Sequence, residues 1–314
     1  VEKKYHHPED RQMTKDKVLA LDIGGTNTRL GLVSRDGAIG GFRRLRSSEW
    51  NQDRPLERLG DLIEDYLKQE APGGVLAISM GFPGAVDKAC RTLVNVPTIP
   101  ELDGAPVADV LEERFKTPVF IDNDVVMLYF QAAQELNMPK SEVTLCFFIG
   151  TGLGNLIVLD GKVHVGAQGI AAELGHIPVY GKDDLCGCGN RGCAELYCAG
   201  HGMISLRNRH YPGEDPDLLF TLHVNEAPVQ EYLDLMAQVM ATEMIILDPD
   251  TVLMGGGIVA MPDFPFEMLK NKVNGRLRGR DTGDRIRWFR ATDAQRAGVA
   301  GSGLYAFDRL DSVE

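Results

Sequence analysis

Two distant stretches of this chain follow one plan, and that repetition narrows the possible folds more than anything else in the sequence. Lys17–Ile23 (KVLALDI) is a short apolar run rich in strand formers, closed by Gly24-Gly25-Thr26-Asn27. Thr28–Val33 resumes the strand pattern, Arg35-Asp36-Gly37 turns it, and Ala38–Leu45 returns. From Thr144 the order recurs: TLCFFI, the turn Gly150-Thr151-Gly152-Leu153-Gly154, NLIVL, the turn Asp160-Gly161, and KVHVGA. Apolar, β-rich runs punctuated by Gly and Asp-Gly read as hairpins. Used twice, the plan predicts two related α/β halves facing each other across a cleft. The length of 314 residues also exceeds one comfortable core.

Helical patterns fill the space between and after these strands. Leu56–Gln69 carries apolar residues at 56, 59, 62, 63 and 67, a helical stripe. Val75–Ser79 reads as a buried strand running into Gly81-Phe82-Pro83-Gly84, Val107–Phe115 as a helix, and Val119–Ile121 as a strand. Asn123-Asp124 opens a helix whose inner face would hold Val125, Leu128, Tyr129 and Ala132, with Asp122 or Asn123 as N-cap. Val229–Leu247 places Val229, Leu233, Met236, Met240 and Met244 on one side and stops at Asp248-Pro249. Thr251–Met254 is a strand, Gly255-Gly256-Gly257 is expected to open the next helix, and Gln295–Leu310 to form a last helix packing on the first half. The expected division is a flexible lead-in at 1–16, a small α/β lobe at 17–121 plus 297–314, and a larger α/β lobe at 122–296.

Charge and cysteine usage exclude several function classes. The net charge is −12 and the pI about 5.1, and the one basic cluster, Arg43-Arg44-Leu45-Arg46, is short enough to be a solvated strand end. No nucleic-acid partner is expected from such a balance. No apolar run approaches a membrane span, and the polar Val1–Lys17 lacks the apolar centre of a signal peptide. Six cysteines without a secretory signal read as reduced thiols or metal ligands, so the expected location is the cytoplasm.

The chemistry-bearing residues concentrate at strand ends. Asp22-Ile23-Gly24-Gly25-Thr26 sets a carboxylate beside backbone N–H groups that glycine leaves accessible. That suits phosphate oxygens, with the acid holding Mg²⁺ through water, or equally an ordinary hairpin. The second glycine turn at 150–154 favours phosphate binding, since two turns can grip one nucleotide. Neither is a P-loop, because GxxxxGK[ST] is absent, and 150–154 is followed by a strand, unlike a dinucleotide fingerprint. Asp124 follows two residues that can already cap its helix, so its carboxylate is free to act as a general base toward a hydroxyl. His176, Cys186, Cys188 and Cys193 give one imidazole and three thiols at close spacing in a glycine-rich loop, poor material for a core and well suited to structural Zn²⁺. Cys90, Cys146 and Cys198 fall outside that set. Glu173 and Glu195 bracket the loop, where they would accept hydrogen bonds from sugar hydroxyls while zinc orders the loop.

Together these residues resemble the ROK family (repressors, open reading frames and kinases) of the hexokinase and actin superfamily. The resemblance runs from about Val18 to near the end. It rests on Leu21-Asp22-Ile23-Gly24-Gly25-Thr26, Gly81-Phe82-Pro83-Gly84, Asn123-Asp124, Gly150–Gly154, Glu173-Leu174-Gly175-His176, the Cys186/Cys188/Cys193 loop and Gly255–Gly257. It implies a two-lobed ribonuclease H-like fold and an ATP-dependent hexose kinase, commonly homodimeric. Asp124 would then activate the sugar's terminal hydroxyl. Asn123, Glu173, His176 and Glu195 would contact the sugar, with Gly84 and Asn95 lining its pocket and His176 also serving the zinc. Asp22, Gly24, Gly25, Thr26 and Gly150, Thr151, Gly152 and Gly154 would face the ATP phosphates and Mg²⁺, and Gly255, Gly256 and Gly257 the adenosine.

Two departures stand out. Val125-Val126 follows Asn123-Asp124 where the family often continues Ala-Asn, and Ala194 stands where it often has Leu. Repressors of the family carry a helix-turn-helix domain before the first glycine turn, and with 21 residues ahead of Asp22 that reading is not expected. Ala227–Gln230, Asp248–Asp250, Gly255–Pro265 and Gly175–Pro178 most resemble the D-allose kinase group, so D-allose is the expected sugar. Glucose or N-acetylmannosamine remains an alternative, and a non-catalytic sugar-binding regulator a second.

Overall fold

The structure is a computed structural model that describes residues 16–139, 141–279, 282–291 and 296–312. Most of the expected lead-in at 1–16 and the start of the last helix at Gln295 lie outside the described residues. Among these the chain forms two compact units: 16–138 with 165–170 and 296–312, and 139–164 with 171–291.

The first unit runs β1 (Val18–Ile23), β2 (Asn27–Val33), β3 (Ile39–Arg46), α1 (Pro55–Glu70), β4 (Ala77–Phe82), β5 (Ala85–Val86), β6 (Leu93–Asn95), α2 (Val107–Phe115), β7 (Val119–Asn123) and α3 (Asp124–Glu135). The C-terminal helix α10 (Ala297–Asp311) completes it. The sheet order is β3-β2-β1-β4-β7, with β1–β3 an antiparallel meander and β1, β4 and β7 parallel. Strand periodicity divides the core. Leu19, Leu21 and Ile23 of β1, Ile78, Met80 and Phe82 of β4, and Val119 and Ile121 of β7 pack with Leu59, Ile63, Val107 and Leu111 of α1 and α2. Val18 and Ala20 take the other face with Val299, Ala306 and Phe307 of α10. Asp22 continues that second set.

The second unit repeats the arrangement. β8 (Val143–Ile149), β9 (Leu153–Leu159) and β10 (Lys162–Val163) form the meander. After it come α4 (Glu195–Cys198), α5 (Gly200–His210), α6 (Leu219–His223), α7 (Ala227–Leu247), β11 (Thr251–Gly255), α8 (Phe266–Asn274), α9 (Thr282–Arg285) and β12 (Arg287–Arg290). The order β10-β9-β8-β11-β12, with β8, β11 and β12 parallel, has the topology of the first sheet. The duplicated ribonuclease H-like plan is therefore present strand for strand. Val229, Leu233, Met236, Met240 and Met244 all face the core against Leu145, Phe147 and Ile149.

Several expectations need correction. The helix α3 belongs with the first unit, because it packs along α10 where Gly301 meets Met127. Its inward residues are Val126, Met127 and Ala132, whereas Val125, Leu128 and Tyr129 are only half-buried, since α3 is flanked by both the sheet and α10. β4 extends through Gly81-Phe82, and Gly154 lies inside β9 opposite Phe148, which shortens the turn to Gly150–Gly152. Gly255–Gly257 opens a turn and not a helix, because Gly256 takes φ +93° against the backbone of Ile149. The next helix, α8, starts at Phe266.

Gly301 marks how tightly α3 and α10 meet: a Cβ there would sit 1.7 Å from the Met127 carbonyl oxygen. Backbone cannot rotate away as a side chain can. Gly301→Ala is expected to cost at least about 1–3 kcal/mol, read as a lower urea midpoint with an unchanged slope. An unchanged midpoint would mean that these helices do not pack as described.

Candidate active site

In each unit the glycine turns follow the carboxyl ends of parallel strands, where open α/β sheets place their ligands. Glu173 and the metal set lie on the segment between β10 and α4, and Glu195 is the first residue of α4. In the first unit Asp22 lies near the end of β1 with Gly24–Thr26 following, and β7 delivers Asn123 and Asp124 beside Gly81 of β4. A Cβ on Gly81 would lie 3.4 Å from the Asp124 Cα, so glycine lets the start of α3 settle onto β4. The Gly24 turn is closed by the Gly24 N–H to Asn27 O at 3.0 Å, and the Ser47 hydroxyl donates to the Gly24 carbonyl at 2.5 Å. Gly25 faces Thr98, which would lie 2.9 Å from an added Cβ.

Electrostatics single out Asp124. Burial, and then the charge of nearby Asp22, push its carboxyl up to about 7, with the Val125 N–H and its own N–H opposing. Burial also raises Asp22, against the pull of Arg29, whose Nη1 donates to Asp22 Oδ2 at 2.7 Å. Arg29 is a site residue that the sequence reading missed. The hairpin register places it directly across from Asp22, so a cross-strand pairing of β1 and β2 could have found it. Gly298 at the start of α10 is a second: a Cβ there would lie 2.5 Å from the Asp22 Cγ. Asp122 is buried with its carboxyl raised for that reason, and it is Asn123 that caps α3, through Oδ1 to the Val125 N–H at 2.9 Å. Asp124 is thus left over from capping, as the sequence implied.

Asn123 has a further duty. Its Nδ2 donates to the Gly84 carbonyl at 2.7 Å, fastening the β5–β6 hairpin to the head of α3. Asn95 pairs with Ala85 across that hairpin, and an added Cβ on Gly84 would lie 2.1 Å from the Asn95 carbonyl oxygen. Gly84, Asn95, Asn123 and Asp124 are therefore one local constellation. Val126, by contrast, is buried to 2% exposure, so the family's frequent Asn at that position is replaced inside the core.

In the second unit the two glycine turns are neighbours. An added Cβ on Gly150 would come 4.0 Å from the Gly257 N, and the Ile258 N–H reaches the Ile149 carbonyl at 2.9 Å. Gly150 closes its own turn on Gly152 O at 3.0 Å and accepts from the Gly200 N–H at 2.8 Å. Glu195 leans on this hairpin: its Oε2 would be 2.7 Å from a Cβ on Gly152, and it accepts from the Leu153 N–H at 3.4 Å. A side chain at Gly152 would displace the Glu195 carboxylate, and the Leu153 N–H serves Glu195 and not an incoming phosphate.

Glu195 also touches the metal set. The ligand atoms of His176, Cys186, Cys188 and Cys193 all lie within 4.8 Å of one another. Zn–S bonds of about 2.3 Å in a tetrahedron put sulfurs about 3.7 Å apart. Cys188 and Cys193 Sγ are separated by 3.6 Å, and Cys186 Sγ and His176 Nδ1 by 3.7 Å. One closed zinc ion fits this donor set. Glu195 Oε1 lies 3.5 Å from Cys186 Sγ, and His176 turns its other nitrogen, Nε2, toward Glu173 at 3.7 Å. Partial burial raises the Glu173 carboxyl. Cys198 is buried outside the set and its thiol is pushed up to about 12, which suits a packing role.

Among the described residues no helix is long and apolar enough to cross a membrane. The sequence matches the ROK family over residues 18–308. It is 27% identical over 285 residues to a glucokinase of Thermotoga maritima, covering 83% of this chain and 88% of that protein. An N-acetyl-D-glucosamine kinase of Escherichia coli is 28% identical over 258 residues, 77% of this chain and 84% of that one. A solved ROK hexokinase of Thermus thermophilus matches with a TM-score of 0.76 at 27% identity, covering 94% of this chain and 99% of its own.

Proposed function

The chain belongs to the ROK family, and on that premise we propose that it is an ATP-dependent sugar kinase acting on the terminal (C6) hydroxyl of a hexose or aminosugar. The observation that carries this reading is Asp124: a carboxylate not needed for capping, raised to about 7, at the end of a parallel strand beside Asp22. A base poised near neutrality can accept the hydroxyl proton as the sugar oxygen attacks the γ-phosphate in line. Asn123, Gly84, Asn95, Glu173, His176 and Glu195 hold the sugar in this proposal. Asp22, Gly24, Gly25, Thr26 and Gly150, Thr151, Gly152 and Gly154 serve the phosphates, and Gly255, Gly256 and Gly257 the adenosine. Mg²⁺ would supply charge neutralisation at the phosphates, near Asp22. Zinc on His176, Cys186, Cys188 and Cys193 would order Glu195 and Glu173 and take no part in the transfer.

The protein is further proposed to be a cytoplasmic homodimer. D-Allose heads the candidate sugars through the sequence likeness already described. Relatives named for glucose and N-acetylglucosamine put those two beside it. ADP release from Mg²⁺-ATP across D-allose, D-glucose, N-acetylglucosamine and N-acetylmannosamine tests the reading. Preference for D-allose supports the finer assignment, preference for another sugar removes it, and ADP release with none of them favours a sugar-binding regulator.

The base role has a pH signature. Asp124 must be ionised to accept a proton, so kcat/KM should reach a plateau above about pH 7 and fall roughly tenfold per unit below it. Asp22→Asn removes one of the two causes that raise Asp124, so the acidic limb should move to lower pH. A limb that stays in place would separate Asp22 from Asp124.

A further inference from the structure

We propose that the metal cluster is also an oxidation-sensitive site, in which Cys188 and Cys193 join as a disulfide and the metal is released. Of the three cluster cysteines, Cys188 alone is exposed, while Cys186 and Cys193 are 3% and 0% exposed. An oxidant therefore meets Cys188 first. The Cys193 sulfur lies 3.6 Å from it, and a disulfide needs an approach to about 2.0 Å. The backbone can supply that movement. Gly187 and Gly189 have open space around them, and Gly189 and Gly192 hold φ of +89° and +71°. Along 180–191 only Cys186 is buried, so no apolar core holds the loop in place.

Cys186 is the poorer partner. One residue separates it from Cys188, too short a link for an unstrained disulfide, and its sulfur faces His176 Nδ1 and Glu195 Oε1. With a peroxide as oxidant, the Cys188 sulfur attacks one peroxide oxygen and the O–O bond breaks. The products are a sulfenic acid on Cys188 and one water. The Cys193 sulfur then attacks the Cys188 sulfur, and the expelled hydroxide takes a proton and leaves as a second water. Two cysteines lose two electrons together, and the peroxide gains them. The ligand set falls to His176 and Cys186, too few to retain zinc. Glu195 and Glu173, which touch those two residues, lose their anchor. A loss of sugar affinity follows only if the kinase reading holds, whereas the disulfide does not depend on it.

The test treats zinc-loaded protein with hydrogen peroxide, follows released zinc with a metallochromic dye, and maps cysteine peptides without reduction. Zinc release should rise in step with a Cys188–Cys193 linked peptide, and dithiothreitol with added zinc should reverse both. The sugar KM should rise at least about tenfold before reversal. Cys198→Ser, outside the cluster, should respond as the wild type does. Zinc retained while Cys188 becomes a sulfinic acid would overturn the proposal, and so would linkage of Cys188 to Cys186 or to a second chain. Peroxide-driven release and linkage in a protein that turns over no sugar would remove the kinase reading and leave this one standing.

Discussion

Asp124→Asn is expected to lower kcat by roughly 10²–10⁴-fold while leaving the binding of sugar and ATP near that of the wild type. The amide has the shape of the carboxyl and cannot accept the hydroxyl proton. Its effect on stability should run the opposite way. The Asp124 carboxyl is raised to about 7 in the folded chain, against an ordinary carboxylate value when unfolded. The protonated group's contribution to stability is therefore complete at low pH and is lost as pH rises through about 7. Asparagine carries no such charge, so the variant should be at least as stable as the wild type at pH 8. Lost turnover with retained or increased stability is the signature of a residue kept for chemistry. Reduced stability with unchanged kcat would instead make Asp124 a packing residue.

Cys193→Ser carries the second large effect. Cys193 is fully buried, and its strand-like bridge to Pro178, with the Val179 N–H to Gly192 O at 2.8 Å, ties the loop to the rest of its unit. Between residues 180 and 191 only Cys186 is buried, so the loop gains little from apolar packing. Backbone hydrogen bonds such as Cys186 N–H to Asn190 O at 2.8 Å and Gly192 N–H to Asp184 O at 2.9 Å shape it, and a bound metal would fasten it further. The variant should purify with little zinc, be cut by protease within 180–191, and show a sugar KM raised at least about tenfold. The kcat at saturating sugar should fall much less than in Asp124→Asn. Full zinc content and an uncut loop would reject the four-ligand site.

Much of this arrangement was legible because local signals and tertiary packing agree. The repeated strand plan fixes both meanders, Val107–Phe115 is a helix to the residue, and the Met stripe of α7 faces its core as its spacing indicates. The cysteine and histidine spacing identified a set that the fold brings together from the ends of a loop. The failures have physical causes. β12 is four residues long with arginine at both ends, and its strand character comes from pairing with β11 rather than from propensity. The helix α5 begins Gly-His-Gly, a weak helical sequence, and those glycines are required because Gly200 abuts Gly150 and Gly202 abuts the Tyr197 backbone. The inner face of α3 was misread because a helix flanked by both a sheet and another helix does not show a single stripe. Arg29 was overlooked because a lone arginine in a strand shows its partner only through the register.

The most direct measurement is ³¹P NMR of the product made from Mg²⁺-ATP and the most active sugar, by wild-type protein and by Asp124→Asn. Wild-type protein should form a phosphate ester on the sugar's terminal carbon with the appearance of ADP, and the variant no ester over the same time. Phosphate released as the free ion, an ester at another carbon, or equal ester from both proteins would contradict it.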